Sequence, residues 1–299
     1  MEPRHDERRS QSRLGLHLTV FIIKTPHKSK PAIVPQSHLA PTRNKKNMQT
    51  NVKKTFFISD AHLGSWAIAD NRQQELRLVH FLDSIKDEAS AIYMLGDMFD
   101  FWHEYRYAVP KGFTRFLGKL SELTDKGIDI HFITGNHDLW MKDYLHNECG
   151  VTIHQEKIIK LSLNDKCFYL SHGDALNRKD YSYLVLRFIF RNKICQKLFA
   201  SLHPRWGLKW GYLWARHSRR KHIKNEGFYI PEDKDNTLAF VRQFAQQHPD
   251  TDYFIIGHRH IDQQNSLPNG GKFIILGDWI TKFTVASFDG NELYIYHYK

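Results

Sequence analysis

Five short polar blocks, each placed where an apolar strand pattern ends, constrain this chain more than any other feature. Asp60-Ala61-His62 follows Phe56-Phe57-Ile58, and Gly96-Asp97 follows Ile92-Tyr93-Met94-Leu95. Gly135-Asn136-His137-Asp138 follows Ile130 to Thr134, and Ser171-His172-Gly173-Asp174 follows Phe168-Tyr169-Leu170. Gly257-His258-Arg259-His260 follows Tyr253-Phe254-Ile255-Ile256. A single Asp-x-His or Gly-Asp is an ordinary turn or helix cap. In a twisted α/β sheet, however, chemistry collects at the carboxyl ends of strands, so blocks spread over about two hundred positions can meet in space.

The residue types suit two-metal phosphoryl chemistry. In-line attack on phosphorus builds charge on the entering and leaving oxygens. Two cations about 3.5 to 4 Å apart stabilise both and lower the pKa of a bound water from about 16 to about 7. Carboxylate, imidazole and amide oxygen suit such divalent ions. Asp97 is the natural bridge, since one anionic group offers two oxygens. Asp60, His62 and His260 would complete one metal, and Asn136, His172 and His258 the other. His137 is then left to bind a phosphoryl oxygen or protonate the leaving oxygen. The expected catalytic set is His137, Asn136 and Asp97.

The ordered blocks resemble the calcineurin-like metallophosphoesterases, whose pattern is D-x-H, G-D, G-N-H-D/E, H and G-H-x-H. The resemblance covers Thr55 to Lys299. It implies an α/β (α+β) fold, a two-sheet sandwich flanked by helices. It also implies two divalent metal ions, with Mn2+ suggested by the family and Zn2+ or Fe compatible with the same ligands.

About 245 residues beyond the N-terminal stretch suffice for one α/β core. Leu78, Phe81, Leu82 and Ile85 fall three and four apart, as do Phe113, Phe116, Leu117, Leu120 and Leu123, which predicts two amphipathic helices. Phe273 to Leu276, Phe283 to Phe288 and Leu293 to Tyr298 read as consecutive antiparallel strands. Cys149, Cys167 and Cys195 form no C-x-x-C pair and no even disulfide framework, so a reducing compartment and buried thiols are expected.

Residues 1–47 differ from the rest. Two stretches rich in charged and polar residues or proline cannot bury enough apolar area to order themselves. Leu14 to Ile23 is too short to span a bilayer and lacks a small-residue cleavage site. Residues 1–47 are expected to be a disordered or non-native extension, with Met48 the physiological start and 48–299 the metallophosphoesterase domain.

One segment stands apart within that domain. Between Leu176 and Glu226 lie thirteen Lys and Arg against two acids, interleaved with aromatic and aliphatic residues at helical spacing. That pattern predicts an amphipathic helical cap insertion over 176–226, divided into two runs at His203-Pro204. Together with the net charge of +11 it implies an anionic partner. Each basic residue near an anionic leaflet adds roughly 1 kcal/mol, so the expected location is cytoplasmic, peripheral on the inner membrane. Neither nucleic acid nor an obligate protein partner is expected.

A basic, apolar helical insertion after the S-H-G-D block resembles the UDP-2,3-diacylglucosamine pyrophosphohydrolases of lipid A synthesis. The main group of those enzymes carries Arg at the position of His137, so the resemblance is to the branch that keeps the superfamily histidine. It implies cleavage of an acylated UDP-sugar to UMP and 2,3-diacylglucosamine 1-phosphate, with the insertion covering the acyl chains. Phe188, Ile189, Phe199, Trp206, Trp210 and Trp214 are the expected apolar lining. Asp174, Arg178 and Tyr181 on one side, and Ser218, Arg219, Lys221, His222 and Lys224 on the other, are the expected contacts to phosphate and uridine. The same metals would serve a soluble nucleotide or dinucleoside polyphosphate hydrolase or a nuclease. A noncatalytic scaffold would not need a complete ligand set.

Overall fold

The computed structural model describes residues 53–177, 179–223 and 230–299. The expectations for residues 1–47 and Met48 lie outside the described residues.

Strands covered on both faces read as nearly continuous apolar runs rather than as alternations. The first sheet has β1 (Lys54–Ile58) and β2 (Ala89–Met94) of this kind, followed in sequence order and in parallel by β3 (Asp129–Ile133) and the short, partly exposed edge strand β4 (Thr152–His154). Helices α1 (Asn71–Ile85), α2 (Thr114–Asp125) and α3 (Tyr144–Cys149) make the connections. Leu78, Phe81, Leu82 and Ile85 of α1 are buried, as are Phe116, Leu120 and Leu123 of α2. Phe113, expected in the second helix, is instead its N-cap at φ 58° and packs its ring 5.0 Å from Phe99.

The second sheet holds β5 (Ile159–Leu163), β6 (Lys166–Ser171), β7 (Tyr253–Ile256), β8 (Gln263–Ser266) and β9 (Lys272–Ile275), in the order β5-β6-β7-β9-β8. Phe57, Tyr93 and Ile133 of the first sheet share one buried cluster with Phe168, Ile255 and Ile274 of the second. Phe57 stacks on Phe168 with centroids 5.7 Å apart, which fixes the sandwich face to face. Helix α7 (Asn236–Gln247) covers the outside of the second sheet through Leu238, Val241 and Ala245.

The C-terminal strands are not simply consecutive and antiparallel. Strand β9 runs parallel to β7, whereas β10 (Thr284–Phe288) and β11 (Leu293–His297) form an antiparallel hairpin on the edge of the first sheet beside β1. The chain changes sheets at Gly277 to Phe283 because that turn is drawn to the strand ends: Trp279 donates its main-chain N–H to the Asp60 carbonyl at 3.0 Å.

The insertion forms three helices rather than two, α4 (Tyr181–Arg191), α5 (Lys193–Ala200) and α6 (Pro204–Ile223). Asn192 makes the additional break. Its side chain accepts from the N–H groups of Ile194 and Cys195 and caps α5. Cys149 and Cys167 are buried free thiols, while Cys195 on α5 is only partly covered.

Candidate metal centre

All five polar blocks lie at the carboxyl ends of β1, β2, β3, β6 and β7, and the backbone there is unusual. Asp60, His62, Asp97, His258 and His260 have φ of 56°, 44°, 52°, 70° and 52°. A residue with a side chain in this region costs of order 1–3 kcal/mol and persists only where its surroundings over-determine it. Such residues concentrate at functional sites. Glycines allow the loops to close up: a Cβ on Gly135 would overlap the Asp97 carboxylate, and one on Gly257 would overlap Ser59 and Asp60.

Hydrogen bonds knit the loops together. The N–H of His62 donates to the Asp97 carbonyl at 2.9 Å, and that of His258 donates to Asp60 Oδ2 at 2.8 Å. Asp138 is fully buried, with Oδ1 accepting from Gly135 N–H at 2.7 Å and Oδ2 from Met98 N–H at 2.9 Å. It staples the Gly135 block to the Gly96 block. Gln74, reaching from α1, donates to the carbonyls of Ala61 and Trp279.

The side chains then converge in two groups. Asp60 Oδ1 lies 3.4 Å from His260 Nε2 and 3.7 Å from His62 Nε2, and the two imidazole nitrogens are 3.3 Å apart. Asp97, His172 and His258 form the other group. Asp97 Oδ2 is 3.3 Å from His172 Nε2 and 3.8 Å from His62 Nε2, so it faces both. Asn136 Oδ1 lies 3.2 Å from His172 Nε2.

This donor set fits divalent cations. Asp60 Oδ1 is buried without a hydrogen-bond partner, and carboxylate oxygens face imidazole nitrogens at separations that a cation between them would resolve. His172 Nδ1 is 2.8 Å from the Leu95 carbonyl. A carbonyl only accepts, so Nδ1 carries a proton there and Nε2 is the nitrogen turned inward, which a bound cation would take in place of a proton. Burial opposes ionisation of Asp97, but His172 and His137 outweigh it and hold the carboxyl below its usual range. For Asp60, too, burial is outweighed, by His260 and His62. His258 is pushed down to about 3 by burial and by neighbouring His172. Burial disfavours charge on His172, yet Asp97 holds its imidazole well above the ordinary value.

His137 sits beside the groups, its ring 4.9 Å from that of His62. Its Nδ1 is 2.7 Å from the Asp100 carbonyl, which leaves Nε2 facing outward. Asp100 also places Oδ1 3.5 Å from His62 Nδ1. His62, Asp100 and His137 therefore form a third close group, but it lies on the Nδ1 side of His62 and orients that ring.

The cap closes over His137. An apolar pocket lined by Phe101, Trp140, Phe190, Phe199, Trp210 and Trp214 reaches Asn136 and His137. Trp214 lies 5.9 Å from the His137 ring, and Phe190 packs edge-on to Trp214 at 5.0 Å. A Cβ on Gly211 would overlap the Phe101 ring, so glycine lets α6 descend this far. Of the six expected lining residues, Phe199, Trp210 and Trp214 line this pocket, whereas Phe188 (72 % exposed), Ile189 and Trp206 face outward.

The expected polar contacts separate. Asp174 is buried by the cap. Its Oδ2 accepts from Arg187 Nε at 2.9 Å and from the Tyr183 hydroxyl. Tyr181 is 74 % exposed and points away. Ser218 is half-buried on α6. Arg178 and Lys224, and the side chains of Arg219, Lys221 and His222, lie outside the described residues. Sequence reasoning passed over Tyr183, Arg187, Asp100, Asp138 and Gln74. The spacing of Tyr183 and Arg187, four apart on α4, was the available signal.

The profile described as Calcineurin-like phosphoesterase matches residues 53–262, the span that contains every ligand block. The chain belongs to this family. This phosphoesterase is 43% identical over 251 residues to a Porphyromonas gingivalis protein named UDP-2,3-diacylglucosamine hydrolase, covering 80% of this chain and 95% of that one. Proteins of the same name from Histophilus somni and Neisseria meningitidis are 32% and 30% identical, over 80% of this chain and 98% and 96% of theirs.

Proposed function

We propose that this phosphoesterase hydrolyses the pyrophosphate bond of UDP-2,3-diacylglucosamine, giving UMP and 2,3-diacylglucosamine 1-phosphate for lipid A synthesis. The observation that carries the reading is the aromatic pocket that opens directly onto Asn136 and His137. An acyl chain gains about 0.8 kcal/mol per buried methylene, whereas a soluble dinucleotide would leave this lining unused. The names of the curated relatives agree with it.

Asp60, His62 and His260 would hold one divalent cation, and Asn136, His172 and His258 the other, with Asp97 shared. Mn2+ is the proposed metal. When bound, the two cations stabilise charge developing on the phosphoryl oxygens and acidify the attacking water. The chain itself supplies position and a proton. Burial lowers the pKa of His137, while Asp97 and Asp100 favour its charged form, and an arriving diphosphate adds to that pull. The resulting imidazolium donates from Nε2 to the leaving oxygen. Trp214, its ring 5.9 Å from that of His137, would restrict water there.

Membrane association is part of the proposal. No described helix is long and apolar enough to cross a bilayer. Phe188, Ile189, Leu198 and Trp206 instead form an outward apolar face on the cap, with Arg205 and Lys209 held over Trp206. This face would rest on the anionic cytoplasmic leaflet of the inner membrane. Mass spectrometry of lipid co-purifying with the metal-loaded protein tests the reading. A diacylated sugar phosphate is expected, and consistent recovery of a soluble nucleotide alone would contradict it.

A further inference from the structure

Helix α6 changes character along its length. Trp210, Gly211 and Trp214 line the apolar pocket beside His137. Two to six residues further on, a span of up to about 9 Å at 1.5 Å per residue, Arg216 and Arg220 face Trp66 instead. Their guanidinium carbons lie 5.0 and 5.3 Å from its ring.

Trp66 belongs to the loop that carries the ligand His62, and that loop is pinned. The N–H of Ser65 donates to the His62 carbonyl at 3.0 Å, and the Asn71 side chain accepts from Gly64 N–H and donates to the Ser65 carbonyl, both at 2.9 Å. Trp66 is nonetheless 43 % exposed. Among the described residues, neither Arg216 nor Arg220 pairs with a carboxylate. A guanidinium held against an aromatic ring keeps its in-plane N–H donors free, and that planar fork matches phosphate oxygens. Two guanidinium groups of α6, stacked on the Trp66 ring of the loop that carries His62, thus form an anion-binding edge further along the helix from the apolar pocket.

We infer that Trp66, Arg216 and Arg220 bind the nucleoside-phosphate half of the substrate, so that α6 orients the molecule with its acyl chains at Trp210 and its uridine phosphate at Arg220. The inference rests on the UDP-sugar reading but can fail separately from it, because UMP serves as the probe.

Calorimetric titration of UMP into the metal-loaded full chain tests it. Arg216→Ala/Arg220→Ala should weaken UMP binding about 10- to 100-fold, as expected for lost charge-assisted contacts. Affinity for 2,3-diacylglucosamine 1-phosphate should change less than about threefold. Arg216→Lys/Arg220→Lys should recover only part of the loss, since lysine lacks the planar fork. Metal content and Tm of each variant identify any that fail to fold, and the lysine pair keeps the test open in that event. Unchanged UMP affinity, or equal loss for UMP and the sugar phosphate, overturns the assignment. Failure to cleave any acylated UDP-sugar, with UMP still bound through these residues, would overturn the acyl reading and leave the subsite standing.

Discussion

His137 donates its main-chain N–H to Oδ1 of Asp97 over 2.9 Å, so the carboxylate that faces both ligand groups also fixes the backbone of the residue assigned to the leaving oxygen. The two roles are still separable by mutation. Asp97→Ala should remove both metals and abolish turnover, because no neighbouring group can bridge in its place. His137→Ala should keep both metals and lose about 100- to 10,000-fold in rate, the range for a lost acid or base. Elemental analysis distinguishes them, and two full equivalents of metal in Asp97→Ala would refute the bridge.

The convergence of the five polar blocks was legible because metal chemistry admits few residue types and strand ends say where they gather. The cap was legible only in outline. Tyr181 and Tyr183 have the same composition-level signal; the four-residue spacing of Tyr183 and Arg187 puts those two on one face of α4, but that this face turns to Asp174 is a tertiary contact that periodicity alone does not supply. Asn192 ends one helix and caps the next inside an unbroken basic and apolar run, so the extra break escaped notice. The return of β10 to the first sheet follows a turn held by the Trp279 contact to Asp60, a partner more than two hundred positions away.

Close packing of the ligand loops makes a second prediction. Gly135→Ala would drive a methyl group into the Asp97 carboxylate, and overpacking of this kind costs about 1–3 kcal/mol. Metal titration should show weakened binding at both positions, with a lower Tm. Wild-type affinity at both would mean that the loops are looser than described.

The cap separates binding from chemistry. Replacing Trp210 and Trp214 by Gln should raise KM for a diacyl UDP-sugar at least tenfold more than for a small chromogenic phosphodiester, because binding energy from remote parts of the substrate is what is lost. It should also loosen binding to anionic vesicles. Equal loss on both substrates would reduce the cap to a support for the fold and favour a soluble nucleotide substrate.

Acid sensitivity should trace in part to His103. Burial, then Lys142, lowers its pKa from 6.5 to about 4, among the rings of Tyr105, Trp140 and Phe199. Between those values the unfolded chain binds the proton and the folded chain does not, so stability falls as pH falls from about 6.5 to about 4. The full contribution is roughly 3 kcal/mol. His103→Phe keeps the ring and removes the proton, so its Tm should gain more at pH 5 than at pH 8. An identical gain at both would exclude His103 as a source of acid sensitivity.

The two-metal centre and the aromatic cap are proposed to act together on one acylated UDP-sugar. Metal-loaded protein incubated with UDP-2,3-diacylglucosamine in detergent, with products resolved by liquid chromatography and mass spectrometry, measures it directly. Equimolar UMP and 2,3-diacylglucosamine 1-phosphate are expected, and neither with Asp97→Ala. An intact acylated substrate alongside rapid hydrolysis of soluble dinucleoside polyphosphates would contradict it.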